Sequence, residues 1–211
     1  RWCTVTGVQT CALPISAFRK HADEAKAWLA VAGELRAGTS RVFGAYVPAE
    51  QRSPATSAKV RTLVLRGLEL LLPAAEKNRI VLALENHGGF PGSGDEQVDV
   101  IKTLDSPYLR ATIDMGNYLI FGADCVAGTR AAAPYCAYVH FKDYRKVAGP
   151  AGKPEFKPTV IGEGDVDLPG CVAELRKIGY RGYVGIEYEA DEDEVVAVPK
   201  SVAYAKKVLG R

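Results

Sequence analysis

The sequence lacks a strong excess of charge of either sign. Its 211 residues include 27 lysines and arginines and 25 aspartates and glutamates, for a formal net charge of +2. A protein that binds nucleic acid through its phosphates needs a basic patch, and no dense basic cluster occurs along this chain. Near-neutral charge with 47% hydrophobic residues is typical of an ordinary globular domain, so we expect one domain and no nucleic-acid partner.

Long hydrophobic runs and regularly spaced cysteines are also missing. No apolar segment reaches the roughly 18–20 residues that a membrane-spanning helix needs, so we expect no membrane partner. The five cysteines form no C-x-x-C pair, so neither a zinc knuckle nor a disulfide framework is favoured. A reducing compartment, by default the cytoplasm, is therefore the expected location.

The first sixteen residues lack the periodicity of a helix or of a strand. Within them, residues 5–15 match the translation of a common short-read sequencing adapter codon by codon. We therefore predict that residues 1–16 are a non-native segment and that residues 17–211 form the domain, the alternative being a genuine irregular N-terminal arm. On this interpretation the native start of the chain is missing, together with any export signal that preceded it.

The rest of the chain alternates between two hydrophobic patterns. Apolar residues at three- and four-residue steps, as in residues 60–75, predict helices, and unbroken apolar runs such as 80–84 predict strands buried on both faces. Residues 144–167, rich in proline and glycine, are expected to be a long loop. Strict helix–strand alternation implies a parallel sheet, so we predict an α/β fold, the (β/α)8 TIM barrel, N-terminally truncated with about strands four to eight present.

Four predicted strands, the second of them over residues 110–117, carry at or near their carboxyl end a side chain that can bind a metal ion. These residues are Glu85, Asp114, His140 and Glu187. In a barrel the carboxyl ends of all strands meet at one mouth, so the four are expected to lie together. Three carboxylates and one imidazole favour a single divalent ion, Mn²⁺, Mg²⁺ or Co²⁺ rather than Zn²⁺. Such an ion polarises a substrate carbonyl or alkoxide as a Lewis acid.

Five short phrases resemble the xylose isomerase-like TIM barrels of the sugar phosphate isomerase/epimerase superfamily. They are Leu-Glu-Asn-His at 84–87, Thr-Ile-Asp-Met-Gly-Asn at 112–117, Val-His-Phe-Lys-Asp at 139–143, Ile-Gly-Glu-Gly-Asp at 161–165 and Gly-Tyr-Val-Gly-Ile-Glu at 182–187. The resemblance implies that the four strand-end residues hold the metal. It also implies that Glu85 and Glu187 are the catalytic residues, exchanging protons on opposite faces of the substrate. A carboxylate can do this because the metal stabilises the enediolate.

Five more residues are candidates for binding the substrate. Lys142 lies two positions beyond the histidine, so on an extended strand its side chain points to the same side, and with Arg145 it is a candidate for binding a phosphate, carboxylate or hydroxyl group. His87 and Asn117 are expected to hydrogen-bond sugar hydroxyls, and Glu163 to reach the site from the long loop. Asn117 stands where many members of the superfamily carry histidine, which leaves the substrate class open.

The predicted function is a metal-dependent isomerase or epimerase of a small sugar, a sugar phosphate or an inositol-like ketone. The first alternative is a dehydratase of the inosose or dehydroshikimate type on the same fold. A DNA-repair endonuclease of a related barrel family needs a histidine-rich multi-zinc site, which three histidines in the whole chain disfavour. A non-catalytic sugar-binding barrel is disfavoured by the presence of both Glu85 and Glu187. The expected partner is a small sugar-like molecule, with self-association into a homo-oligomer left open.

Overall fold

The computed structural model describes residues 15–211. The adapter-like run at 5–15 falls almost entirely outside the described residues. The first described helix begins at Ile15, two residues before the domain boundary that the sequence predicts. The assignment of residues 1–16 to a non-native segment therefore stays a prediction.

Seven helices and nine strands occur within the described residues. The helices are α1 (Ile15–Glu34), α2 (Pro54–Asn78), α3 (Gly94–Leu104), α4 (Met115–Ile120), α5 (Cys125–Ala132), α6 (Leu168–Lys177) and α7 (Glu194–Leu209). The strands are β1 (Thr39–Phe43), β2 (Ala45–Tyr46), β3 (Val81–Glu85), β4 (Gly89–Phe90), β5 (Leu109–Asp114), β6 (Cys136–Phe141), β7 (Tyr144–Ala148), β8 (Pro154–Pro158) and β9 (Val184–Ile186). None of these helices is both long enough and apolar enough to span a bilayer.

Five strands form one parallel sheet in the order β1-β3-β5-β6-β9. The spatial order follows the chain order, as it does in a sheet wound steadily in one direction. The helices form an outer layer in which α1 packs on α2, α2 on α3, α3 on α5, α5 on α6 and α6 on α7. Leu82, Leu84 and Ile113 are fully buried between the layers, because a strand with helices on one face and other strands' side chains on the other has no solvent-facing side. The predicted parallel α/β sheet is confirmed.

Local sequence signals explain where α2 and α3 begin. Ser53 caps α2 through its hydroxyl, which accepts from the Thr56 amide, and Pro54 occupies the first helical position. At α3, the Ser93 hydroxyl accepts from the Glu96 amide while the Glu96 carboxylate accepts from the Ser93 amide. This reciprocal capping box satisfies two amides that the helix itself leaves unpaired.

Two predicted elements are wrong in detail. The segment 144–167 is not a structureless loop, because β7 and β8 pair there as an antiparallel hairpin in which Tyr144 lies opposite Pro158. The hairpin is mostly exposed, so it carries too few apolar residues for hydrophobic periodicity to reveal it. The strand predicted to run to Asn117 instead stops at Asp114, whose side chain caps α4 by accepting from the Asn117 amide.

Gln97 fastens the helical layer to the sheet just beneath the strand ends. Its buried amide group donates to the Leu84 carbonyl at 3.0 Å and to the Thr112 carbonyl at 2.9 Å. Its oxygen accepts a hydrogen bond from the Tyr118 hydroxyl at 2.5 Å. One side chain of α3 therefore links β3, β5 and α4 in a region without solvent.

We expect Gln97→Leu to destabilise the protein, since it removes the hydrogen bonds that Gln97 makes to two carbonyls and a hydroxyl in a buried region. Each such loss costs about 1–3 kcal/mol, so the free energy of unfolding should fall by roughly 2–4 kcal/mol. For a chain of this size that lowers the melting temperature by about 5–15 °C, measurable by circular dichroism. Gln51→Leu, at an exposed position, is the matched control, and equal melting temperatures for the two variants would contradict the prediction.

Candidate metal centre

The four strand-end residues predicted from the sequence lie together. Glu85 and Asp114 are the last residues of β3 and β5, His140 is the penultimate residue of β6, and Glu187 follows β9 directly. The parallel register sets Asp114 beside His140. One ligand-type atom from each of the four lies within 4.8 Å of all the others. The structure thus assembles a group of side chains suited to holding one metal ion.

The imidazole of His140 sits at the centre of this cluster. Its Nδ1 atom is 2.7 Å from Glu85 Oε1, 3.3 Å from Glu187 Oε1 and 3.9 Å from Asp114 Oδ2. The Glu85 and Asp114 side chains have no solvent exposure, whereas the Glu187 side chain is 24% exposed. Solvent therefore reaches the cluster from the Glu187 side.

Two cations neutralise part of the negative charge. The Lys142 ammonium, buried on the segment after β6, lies 2.8 Å from Glu187 Oε2, 3.7 Å from Asp114 Oδ2 and 3.2 Å from Glu189 Oε1. Arg41 on β1 places Nη1 2.6 Å from Glu187 Oε1 and 3.5 Å from Glu85. Neither Arg41 nor Glu189 is among the predicted site residues. The one signal available for Arg41 was a charged residue directly before the apolar pair Val42 and Phe43 of β1.

Burial and the charges of neighbouring groups shift the pKa values of three side chains in the cluster. Burial raises the pKa of Asp114 to about 7, although the nearby Lys142 charge opposes the rise. Burial also acts to raise the pKa of Glu187, but the charges of His140 and Lys142 hold that pKa below its ordinary value. Burial would lower the pKa of Lys142, yet Asp114 and Glu187 raise it above its ordinary value. The cluster is thus an environment in which an added cation is favoured.

Two carboxylate oxygens of the cluster have no hydrogen-bond partner. Among the described residues, Glu85 Oε2 and Asp114 Oδ2 are buried side-chain atoms without one. An unpartnered buried polar atom costs about 1–3 kcal/mol, so native structures rarely retain one without a reason. A divalent ion held by the four side chains would satisfy both oxygens, and the donor set of carboxylate oxygens with one imidazole nitrogen fits such an ion.

Asn86 supports the cluster from behind. Its amide nitrogen donates to the Asp114 carbonyl at 2.8 Å, and its amide oxygen accepts from the Asp114 backbone amide at 2.9 Å. The chain then turns away through Gly88 and Gly89, whose φ values of +73° and +110° lie in a region that favours glycine. Asn86 lies within a phrase singled out in the sequence but was not assigned a role there. A buried amide directly after a strand was its signal.

The predicted substrate-binding residues divide into two groups. His87 and Asn117 lie beside the cluster, as does the lysine described above. The half-buried His87 ring lies against Phe43, with ring centroids 4.4 Å apart, and burial lowers the pKa of His87. Asn117 is buried, and its Nδ2 atom has no partner within residues 15–211. Arg145 and Glu163 are exposed, with the Arg145 guanidinium donating to the Glu163 carbonyl. No hydrogen bond or ion pair in the described part of the chain joins either to the cluster.

The Gly-Glu-Gly phrase is held by Asp143. The Asp143 carboxylate accepts from the backbone amides of Gly162 at 2.8 Å, Gly164 at 3.0 Å, Val166 at 3.2 Å and Tyr144 at 2.9 Å. This buried acid, which the sequence analysis left without a role, therefore fixes the loop after the hairpin against the end of β6. The preceding residue, Lys142, instead directs its ammonium group into the cluster.

A parallel α/β sheet with an acid–histidine cluster at the carboxyl ends of its strands defines a TIM-barrel protein with a metal-type site. The model of the xylose isomerase-like TIM barrel family matches residues 3–208, and the chain belongs to this family. The matched range includes most of the segment predicted to be non-native. The predicted resemblance and fold class are confirmed at this level.

Two curated relatives are similar over part of their length. The rhizopine catabolism protein MocC of Rhizobium meliloti is 31% identical over 123 residues, which cover 54% of this chain and 38% of that protein. The putative L-ribulose-5-phosphate 3-epimerase SgbU of Escherichia coli is 30% identical over 122 residues, covering 57% of this chain and 42% of that protein. The matched region thus spans less than half the length of each relative.

Three solved structures share the fold. A xylose isomerase domain protein from Planctomyces limnophilus is 25% identical with a TM-score of 0.72, covering 93% of this chain and 67% of that one. A xylose isomerase-like TIM barrel protein from Mycobacterium smegmatis, solved with magnesium, is 18% identical with a TM-score of 0.74 and coverages of 96% and 71%. The IOLI protein, solved with zinc, is 15% identical with a TM-score of 0.78 and coverages of 94% and 72%.

We expect Asn86→Ala to destabilise the protein, because it leaves the backbone amide of Asp114 buried without a partner and removes one of the hydrogen bonds to the Asp114 carbonyl. The free energy of unfolding should fall by about 2–4 kcal/mol. Asn78→Ala is the control, since Asn78 donates to one carbonyl only, at a partly exposed site on α2, and should cost less than about 1.5 kcal/mol. Urea titration of both variants measures the difference. A loss for Asn86→Ala no larger than that of the control would contradict the role given to Asn86.

Proposed function

We propose that this protein is a divalent-metal-dependent isomerase or epimerase acting on a small sugar, a sugar phosphate or an inositol-like ketone. The observation that carries the proposal is the cluster of Glu85, Asp114, His140 and Glu187 at one end of the sheet. Membership of the xylose isomerase-like family supports it, as does a relative named as a putative sugar-phosphate epimerase.

The four cluster residues would hold the metal ion. When bound, the ion supplies a Lewis acid that polarises a carbonyl oxygen of the substrate. The oxygen-rich donor set favours Mn²⁺, Mg²⁺ or Co²⁺ over Zn²⁺. Fold neighbours solved with magnesium and with zinc support the proposal of a bound metal without deciding between the ions.

Glu85 and Glu187 are the proposed proton-transfer residues. One carboxylate removes the proton from the carbon next to the substrate carbonyl, and the other carboxyl group returns a proton to the opposite face. Glu187 is available to accept a proton from a bound substrate because it is the more exposed of the two, and the charges of His140 and Lys142 keep it deprotonated although they make it a weaker base.

Cationic and polar side chains would bind the substrate's oxygens. The Lys142 ammonium lies within the cluster, where it stabilises negative charge that develops on the substrate in an enediolate. His87 and the unpartnered amide of Asn117 are proposed to hydrogen-bond substrate hydroxyls. Arg145 and Glu163 keep a proposed binding role only for a substrate long enough to reach the hairpin and the loop after it.

Metal binding should stabilise the protein. After treatment with a chelator, addition of Mn²⁺ to about 100 times its dissociation constant should stabilise the fold by about 2.7 kcal/mol. That amount raises the melting temperature by roughly 5–10 °C for a chain of this length. His140→Gln should lose the rise, whereas His21→Gln, which changes an exposed histidine on α1, should keep it. A similar rise in both variants would exclude His140 as a ligand.

Proton transfer should be visible as solvent isotope uptake. With Mn²⁺ bound and a panel of ketoses, ketose phosphates and inososes in deuterium oxide, nuclear magnetic resonance should show deuterium entering next to the carbonyl of one substrate. Glu85→Gln and Glu187→Gln should each slow that exchange by about 10²–10⁴-fold, the usual contribution of a general base. Glu174→Gln is the control. It changes an acid of α6 that pairs with Arg130 of α5, and deuterium should enter the substrate at the unmodified rate.

The products separate the proposed reaction from its alternatives. A new epimer or isomer carrying deuterium supports the proposed function, whereas loss of water from the substrate would mean a dehydratase. Binding of a sugar with neither outcome, and with no effect of the two glutamine variants, would mean a non-catalytic binding protein.

A further inference from the structure

Arg41 occupies an unusual place for an arginine. It lies in the middle of β1, where its backbone pairs with β3 opposite Ala83. Its guanidinium carbon lies 4.8 Å from the centroid of the Phe43 ring, and its side chain is 24% exposed. A stacked, mostly buried guanidinium is held more firmly than a surface one. Arg41 is therefore a fixed part of the cluster's surroundings.

Within the cluster, both oxygens of Glu187 already make a short contact to an arginine or lysine nitrogen. Glu187 Oε1 lies 2.6 Å from the Arg41 guanidinium and 3.3 Å from the His140 ring, and Glu187 Oε2 lies 2.8 Å from the Lys142 ammonium. By contrast, Glu85 Oε2 lies 3.5 Å from Arg41 and Asp114 Oδ2 lies 3.7 Å from Lys142, and neither oxygen has a hydrogen-bond partner within residues 15–211. A metal ion could thus bind Glu85 and Asp114 through these oxygens without displacing a hydrogen-bond donor. It can bind Glu187 only by displacing one of the cations that already contact it.

Of the two cations on Glu187, Arg41 is the one that metal binding would displace. The Lys142 ammonium is almost fully buried and is shared with Asp114 and Glu189, so moving it would disturb three ion pairs. Arg41 Nη1 makes its short contact to Glu187 alone, and its contact to Glu85 is longer, at 3.5 Å. The Arg41 side chain is also the more exposed of the two, at 24% against 3% for Lys142.

We propose that Arg41 is a resident counter-ion that competes with the divalent metal for Glu187 and thereby sets the metal affinity of the site. This inference rests on the metal site of the proposed function. The physical reason is the Coulomb repulsion between a guanidinium and a dication that share one carboxylate at the same cluster, which is weakly screened because most of the cluster is buried. The opposite role, in which Arg41 improves binding by holding Glu187 in place, makes the opposite prediction.

The test is direct measurement of Mn²⁺ binding to the full chain, with the free ion quantified by its electron paramagnetic resonance signal. Arg41→Met removes the charge but keeps an apolar stem over the Phe43 ring, and Arg41→Gln removes the charge but keeps a polar end. Both should bind Mn²⁺ about tenfold more tightly than the unmodified chain, a change that corresponds to about 1.4 kcal/mol. Arg41→Lys keeps the charge and should bind within about threefold of the unmodified chain.

Arg61→Met is the matched control. Arg61 pairs with Asp99 between α2 and α3, so its loss removes one charge and one ion pair from the helical layer and should leave Mn²⁺ affinity unchanged. The rise in melting temperature on adding Mn²⁺ provides a second measurement, and it should be larger for Arg41→Met than for the unmodified chain at the same Mn²⁺ concentration.

Each outcome bears on a different claim. Equal or weaker binding by Arg41→Met and Arg41→Gln would overturn the competition, while Mn²⁺ binding by the unmodified chain would still support the proposed metal site. Tight binding by Arg41→Lys equal to that of Arg41→Met would also overturn it, since the charge would then have no effect. If neither the unmodified chain nor any Arg41 variant binds Mn²⁺, the proposed metal site itself fails, and this inference fails with it.

Discussion

The mutual repulsion of three carboxylates at one end of a parallel sheet is the constraint on which the rest of the site depends. Parallel pairing brings the carboxyl ends of β3, β5 and β9, with β6 between the last two, to a common edge, and burial removes most of the water that would otherwise screen the charges of the three carboxylates. The imidazole of His140 lies among the carboxylates, and the side chains of Arg41 and Lys142 place positive charge beside Glu187. Within residues 15–211 these groups still leave two carboxylate oxygens without a hydrogen-bond partner, so the compensation is partial. The fold therefore leaves uncompensated negative charge at the place where a dication would neutralise it.

Most of this design could be predicted from the sequence, because it depends on patterns within single elements. Strands buried on both faces appear as unbroken apolar runs, and an acid or histidine ending such a run stands out from its neighbours. The residues that were missed act across elements. Arg41 and Asn86 matter through contacts with Glu187 and Asp114, more than 25 positions away in each case, and no local pattern encodes such contacts. The exposed β7–β8 hairpin was missed for another reason, since it buries too little to produce a hydrophobic period.

The family and the cluster define different parts of the function. The xylose isomerase-like fold accounts for the positions of the strand ends, and the cluster accounts for which chemistry those ends can perform. Substrate choice depends on the residues around the cluster, and the structure does not bring all the predicted substrate-binding residues to it. Asn117 is buried with an unpartnered amide, while Arg145 and Glu163 contact each other on the exposed hairpin and loop. In the proposed function, a sugar would thus be selected by a smaller set of side chains than the motifs suggest, chiefly His87, Asn117 and Lys142.

The paired hydrogen bonds between Asn86 and Asp114 have a consequence for how the chain leaves the sheet. The backbone ladder between β3 and β5 ends with Glu85 opposite Thr112, but Asp114 still offers an amide and a carbonyl to its neighbour. The primary amide of Asn86 has the same donor and acceptor as a peptide group, and it bonds both. It acts as a surrogate rung that extends the sheet by one step after the main chain has departed. The backbone can thereby turn away from the sheet at Gly88. Asp114 nevertheless keeps two hydrogen bonds of the kind that a continuing strand would provide, and these hold its carboxylate in the cluster.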